Sequence, residues 1–424
     1  MLMFRMCRAA SVGLRLGWTA ALASLLLACA APPPAPLPER PEAPTSEVAF
    51  DAGIDFAVDD LLVQARRLPA FQLKAEKTAL LPLKKDSTPP PRSVIALDPT
   101  IDGQTGQQTT ASKLLDARLL QRAAAKFEQF DLRPVHTPDV LASASYVLAS
   151  TLTPVAGPGA QAGAYRINLS LTDIRSGFVV AQAVARVERQ GVDATPTPFF
   201  RDSPSLTKDR VVEGQIRTAQ TQAGGEADGV YLARLPVTAL LSEGARLYEQ
   251  NAYDKALPYY EAAAARVDGQ QLRVLNGLYL VNMQLGRSDE AMQAFAKIVA
   301  LGLATNGLSM KFLFRPGSTE FVADAQISAP YGMWLRTLAR EVAQANVCLN
   351  IVGHTSRTGS DQVNERLSLQ RAVTIQRRVE ALAPQTVSRL QPVGAGSREN
   401  LVGTGTDDLR DALDRRVEFR VRGC

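Results

Sequence analysis

Histidine, tryptophan and cysteine are scarce in this chain, at two, two and four among 424 residues. The two histidines, His136 and His354, are far apart, and no cysteines or acids join them at metal-ligand spacing, so no metal site is expected. A nucleophile elbow is missing. Gly157-Pro-Gly159 and Gly394-Ala-Gly396 lack the strand–helix context and the lysine of a phosphate loop, and read as turns. Neither an enzyme nor a cofactor is expected. Acids are absent before Glu39, whereas Arg5, Arg8 and Arg15 precede an apolar run from Gly17 to Leu27. That run is too short for a stable membrane span, and a basic region followed by a short apolar one has the form of an export leader.

Leu26-Leu27-Ala28-Cys29 ends the run in the pattern of a lipobox. The resemblance to lipoproteins implies a leader over 1–28, cleavage before Cys29 and acylation of its sulfur and new amino terminus. Two or more chains are needed for stable anchoring. Ala30 stands where an aspartate would mark inner-membrane retention, so the resemblance implies an outer-membrane anchor facing the periplasm. The net charge of +5 then shrinks: removing three of 47 cations leaves 44 against 42 acids. That balance gives no case for a nucleic-acid partner. Residues 29–49 are a lipidated, proline-rich tether, extended at about 3.1 Å per residue, and carry no chemistry.

The body is expected to be a multidomain α+β protein. Residues 50–190 read as an α/β domain. Thr78–Leu83 and Ser93–Leu97 are short strands, Ser112–Phe127 an amphipathic helix, and Tyr146–Val155 a further strand. Tyr165, Ile167, Leu169 and Leu171, then Val179 to Val187, alternate with polar residues as an antiparallel meander. The helix at 112–127, Ala144–Leu148 and Leu169–Gly177 resemble the periplasmic domains of penicillin-binding-protein activators and curli-secretion lipoproteins. That resemblance implies a protein-contacting module with an envelope protein as partner. Residues 191–237 read as a linker, with local order at Phe199-Phe200. Over 238–302, Gly244, Leu247, Tyr253, Ala256, Tyr260 and Ala263, then Leu278, Gly286, Ala291, Phe295 and Ile298, recur as tetratricopeptide-like helix pairs. Ala256 to Ala291 gives a period of 35. Two repeats fall short of the three that stand alone, so they should lean on a neighbour.

Residues 309–424 carry the most ordered motifs: Gly353-His354-Thr355 with Gly359, then Asn364, Leu367-Ser368 and Arg371-Ala372, Gly394-Ala-Gly396 and Arg415-Arg416-Val417. Strands are expected at Lys311–Phe314, Cys348–Gly353, Arg389–Gly396 and 414–421. Helices are expected at Pro330–Ala345, from Asn364 to Leu382, and briefly at Thr406–Leu413. The set resembles the OmpA-like peptidoglycan-binding domain, which implies a βαβαβ(α)β fold with a mixed sheet. The implied partner is the peptidoglycan stem peptide, whose diaminopimelate ends in a carboxylate and an ammonium. The implied binding residues are Phe314, Thr355, Ser356, Asn364, Arg371 and Arg416. Arg371 would hold the carboxylate by a two-pronged contact, and Asn364 would cap its helix. The chain departs from the pattern at Ser356, where an aspartate is usual, and at Arg315, which replaces a common acid. Asp361 and Glu320 are the candidate substitutes. Cys348 opens one strand and Cys424 follows the last; if those strands are antiparallel neighbours, a disulfide is expected.

Overall fold

The structure is a computed structural model that describes residues 39–68, 71, 93–156, 162–401, 405 and 410–424. The leader, Cys29, the tether up to residue 38, the strand expected at Thr78–Leu83 and part of the stretch at Thr406–Leu413 lie outside these residues. Pro38–Cys424 forms one compact unit. No helix among the described residues is long and apolar enough to cross a membrane.

The N-terminal sheet is built from α1 (Phe50–Arg66), β1 (Ser93–Leu97), β2 (Ile101–Asp102), α2 (Thr110–Lys126), β3 (Phe130–Pro134), α3 (Pro138–Ser143), β4 (Tyr146–Ala156), β5 (Ala162–Asp173) and β6 (Val179–Glu188). Its order is β3-β1-β4-β5-β6, with β2 paired to β4. β1 runs parallel to β3 and β4, and β4, β5 and β6 form the antiparallel meander. In β6 every second residue from Val179 to Val187 is buried, and α1 covers that face. Periodicity did not foretell α1, since Leu61-Leu62-Val63 are all buried and blur its apolar stripe. Its outer edge carries Asp51, Asp55 and Asp59, one turn apart, against Arg118, Arg122 and Lys126 of α2 at 2.6–3.1 Å. The matched four-residue spacing lets one ladder of charges align two helices, although each exposed pair contributes less than about 1 kcal/mol.

The segment expected as a linker, 191–237, is largely helical. It holds α4 (Pro198–Asp202), α5 (Arg210–Gln220) and the start of α6 (Gly229–Glu249). Asp209 caps α5 by accepting from the Val211 and Val212 backbone N–H groups, and a second carboxylate oxygen accepts from Leu272 N. Val211, Val212, Ile216 and Ala219 are buried. Four apolar positions among polar neighbours gave too weak a period to read; burial by neighbouring elements makes the helix. α6 pairs with α7 (Tyr253–Ala264), and α8 (Leu272–Gln284) with α9 (Ser288–Ala304). Tyr260 fits between α6 and α8 because Gly244 and Gly277 have no side chain. A Cβ at Gly277 would lie 2.1 Å from its ring.

The C-terminal sheet has β7 (Leu308–Met310), β8 (Cys348–His354), β9 (Leu390–Gly396) and β10 (Val417–Arg422), in the order β7-β10-β8-β9. β10 is antiparallel to both neighbours and β8 is parallel to β9, so the sheet is mixed. The helices are α10 (Ala325–Ser328), α11 (Tyr331–Ala345) and α12 (Asp361–Leu382). The first strand lies three residues before the expected Lys311–Phe314. There, Lys311 N donates to Pro204 O and Leu313 N to the Tyr331 hydroxyl, so those residues leave the ladder. The outer edge of β7 is covered by residues 204–206, through Leu206 N to Ser309 O at 3.0 Å.

The helix pairs and this sheet share one apolar core. Phe295 of α9 stacks on Trp334 of α11 at 5.6 Å, and the Trp334 indole N–H donates to Tyr279 Oη at 2.8 Å. Phe312 and Tyr331 pack against the same indole. The helix pairs thus lean on the C-terminal domain through buried aromatics. Cys348 and Cys424, 76 positions apart in sequence, are joined by a disulfide with Cα atoms 5.2 Å apart. Cys348 sits opposite Arg422 in the ladder, which carries Cys424 just past it.

Two outcomes follow from this packing. Trp334→Ala should cost about 3–5 kcal/mol and should destabilise the helix pairs and the C-terminal sheet together, read as one lowered transition in hydrogen exchange. Cys424→Ser should lower stability by about 2–4 kcal/mol in non-reducing denaturation and abolish the response to reductant.

Candidate functional site

The loop 355–360, between β8 and α12, gathers most of the residues singled out by sequence. Its shape depends on helix α12 lying directly on β8 and β9. A Cβ at Gly353 would stand 2.0 Å from Ser368 O, and one at Gly394 would stand 2.7 Å from Glu365 O. Gly396, at a φ of +58°, accepts from Thr355 N at 2.9 Å and packs on the Asn364 backbone. The glycines of both motifs are thus there to let a helix approach, and Gly396 brings the β8 end and the α12 start together.

Ser360, not Asn364, caps α12: its hydroxyl accepts from Val363 N, and Asn364 lies one turn inside with its N–H on Ser360 O. Asn364 is buried, and its side-chain Nδ2 has no hydrogen-bond partner. The Thr355 hydroxyl is buried and unpartnered in the same way. Ser356 is also buried, its Oγ 3.1 Å from Thr358 Oγ1. Asp361 is exposed in the first turn of α12. Glu320 is occupied by Arg315, 2.9 Å away on the surface.

Arg371 is only 1% exposed. Its Nε donates to Ser318 O at 3.1 Å, Nη2 to Arg315 O at 3.1 Å and Nη1 to His354 O at 3.4 Å. The guanidinium lies over the buried Phe314 ring, 5.1 Å from its centroid, a cation–π contact. It organises three carbonyls under the loop and places a positive charge there, rather than presenting a fork at the surface.

Arg416 turns the other way. It is 2% exposed and bonds Glu418 through Nε at 2.8 Å and Nη2 at 2.6 Å. Glu418 also accepts from Arg420 at 2.7 Å, and Arg420 bridges to Glu399. His354 completes the group, with ring nitrogens 3.6 Å from Glu418 and 3.9 Å from Glu399. The ligand atoms of His354, Glu399 and Glu418 lie within 4.8 Å of one another, a spacing that a cation could bridge. However, Arg420 Nη2 bonds the same oxygens that face the histidine. A guanidinium supplies the positive charge that a metal would bring. Burial lowers the His354 pKa and keeps the ring neutral. For Glu418 burial pushes upward, but the histidine and the two arginines overcome it and hold the carboxyl well below the usual range. At 3.6 Å the ring is too far for a full hydrogen bond, so the arginines carry most of that depression. Glu399, Glu418 and Arg420 were missed from sequence, although Arg416-x-Glu418-x-Arg420 puts all three side chains on one strand face.

Glu418 therefore binds its proton more weakly in the folded than in the unfolded chain. Its contribution to stability is present above pH about 4.3, the unfolded value, and is lost as pH falls toward the depressed folded value. Urea melts should show stability dropping below pH 4, with a flatter profile in Glu418→Gln. Glu418→Ala, which strands the buried Arg416, should cost about 3–5 kcal/mol.

Comparison with known proteins places one family match in this domain. Residues 313–412 match the OmpA family. The peptidoglycan-associated lipoprotein from Burkholderia pseudomallei is 19% identical over 26% of this chain and 88% of its own, with a TM-score of 0.23. The periplasmic domain of Helicobacter pylori MotB (residues 90–256) is 19% identical over 27% of this chain and 74% of its own, at 0.21. A putative MotB-like protein from Desulfovibrio vulgaris is 22% identical over 36% of this chain and 98% of its own, at 0.23. Among curated proteins none matches. Residues 313–412 thus form a domain of the OmpA family, carried at the C-terminal end of a mixed α/β chain.

Proposed function

We propose that this protein tethers the outer membrane to the cell wall: lipid on Cys29 holds one end, and the C-terminal domain binds peptidoglycan stem peptides non-covalently. The observation that carries this reading is the pair of buried, unpartnered donors, Asn364 Nδ2 and Thr355 Oγ1, at the loop above Arg371. A buried donor left unmatched costs about 1–3 kcal/mol, which a ligand carboxylate would recover. The Arg371 charge beneath favours an anion. Its role is then mainly positioning: it holds the 315, 318 and 354 carbonyls and adds field, while Asn364 and Thr355 make the contacts. The family-level match over residues 313–412 points the same way.

The other half of diaminopimelate, its ammonium, is served differently from the usual pattern. Ser356 and Thr358 hydroxyls offer dipoles rather than a charge, so the grip on this end is weaker by about 1 kcal/mol. Asp361, exposed at the same helix start, supplies the nearest unpaired acid among the described residues in that turn.

The test is retention of the full chain, in detergent, on purified peptidoglycan, with competition by free diaminopimelate. Asn364→Asp, which sets a negative charge against the ligand carboxylate, should reduce retention at least tenfold with an unchanged melting curve. Ser356→Asp should raise it. Retention that is indifferent to both variants, or no retention by the wild-type chain, would rule out this site.

A further inference from the structure

We propose that a cavity of about 310 Å³ between the N-terminal sheet and the helix pairs is a binding site for a singly charged organic anion with a short apolar body, a medium-chain carboxylate, with Arg273 as its counter-charge. The volume is at the small end of ligand sites, and too small for a two-chain lipid. Its walls come from three parts of the fold: Leu97 and Ile101 at the sheet, Leu120 of α2, and Phe199 with Leu241 from α4 and α6. These give an apolar chamber.

Arg273 of α8 lines that chamber and is only 7% exposed. Among the described residues it has no ion pair within 4.0 Å and no hydrogen bond, and its Nε is buried without a partner. A buried N–H left unmatched costs about 1–3 kcal/mol, and the charge behind it lacks a close counter-ion. The other cations on the wall are matched, Lys113 by Glu249 at 2.6 Å and Arg246 by Glu243 at 2.5 Å. The chamber therefore holds one buried positive charge waiting for an anion, with the His136 Nδ1 beside it also unpartnered.

The acids near the chamber limit that anion to a single charge. Asp98, whose Oδ2 accepts from Tyr231 at 2.7 Å, acts on Arg273 through its field. Asp116 faces the cavity and accepts from the Thr100 N–H at 3.1 Å. Burial pushes Asp98 up to about 6 and Asp116 up to about 7, so at neutral pH both are ionised in part. Burial lowers His136, leaving it neutral. A dianion such as a phosphate monoester would meet these carboxylates; a carboxylate fits the single guanidinium fork.

Calorimetric titration of the full chain with octanoate, octanol and octyl phosphate tests this. Octanoate should bind with one-to-one stoichiometry and at least tenfold more tightly than either of the other two. Arg273→Met should weaken octanoate at least tenfold and leave octanol unchanged, and Ala245→Phe, which fills the cavity from α6, should abolish binding. If Arg273→Met does not fold, the wild-type contrast and Ala245→Phe decide. Absence of octanoate binding, equal binding of octanol, tighter binding of octyl phosphate, or octanoate binding that survives Ala245→Phe would each overturn the proposal.

Discussion

The Trp334 indole sets the terms for most of this molecule. A large ring with one polar atom must be buried and must also satisfy its N–H, and both demands are met from another part of the chain: Phe295 stacks on it and Tyr279 accepts from it. The helix pairs and the C-terminal sheet consequently have no seam of their own between them. Neither α9 nor α11 could turn away without exposing aromatic surface. The extended arm at 204–206, which lies along β7, and Lys311, which donates to Phe200 O, add backbone and charge to the same junction. The C-terminal domain mounted this way packs as one body with the helices behind it.

Within the C-terminal sheet the close contact of α12 decides where the chemistry sits. Glycines at 353, 394 and 396 bring the helix onto the strand ends, and this sinks Arg371 and Asn364 below the surface. An arginine so placed cannot behave as a flexible clamp. It becomes a fixed charge that shapes a loop. The cluster of His354, Glu399, Glu418 and the two arginines is a separate, self-neutralising arrangement at β10, with Arg416 and His354 buried and Glu399 and Arg420 reaching the surface.

Much of this was legible beforehand, for specific reasons. The meander from 146 to 188 alternates in type, but only β6 keeps an exposed face. β4 and β5 are covered on both sides, by α1 on one and by α5 and α6 on the other, so the single wet face expected from the alternation is absent there. The motifs of the last domain are spaced by backbone needs, so their glycines and the Asn-to-Arg helix read directly. The helix pairs showed their alanines and aromatics at the right period. What escaped was structure made by neighbours. α5 exists because two surfaces cover it, and α1 hides its period by being buried on nearly all sides. The position of β7 was displaced because a tyrosine hydroxyl and a distant carbonyl captured the N–H groups of the expected strand. For the site, residue types were readable but their depth was not: burial of Arg371 and Arg416 is a property of packing.

β10 is the last strand made and an inner one of its sheet, between β7 and β8. Its partner β7 was synthesised more than a hundred residues earlier, with Phe419 set against Leu308. Until residues 417–422 are available, β8 and β9 can pair with each other, but nothing joins β7 to them. Joining β7 to the rest of the sheet must therefore wait for residues 417–422, a slow, long-range closure. Removing those residues takes out the middle of the sheet rather than its margin.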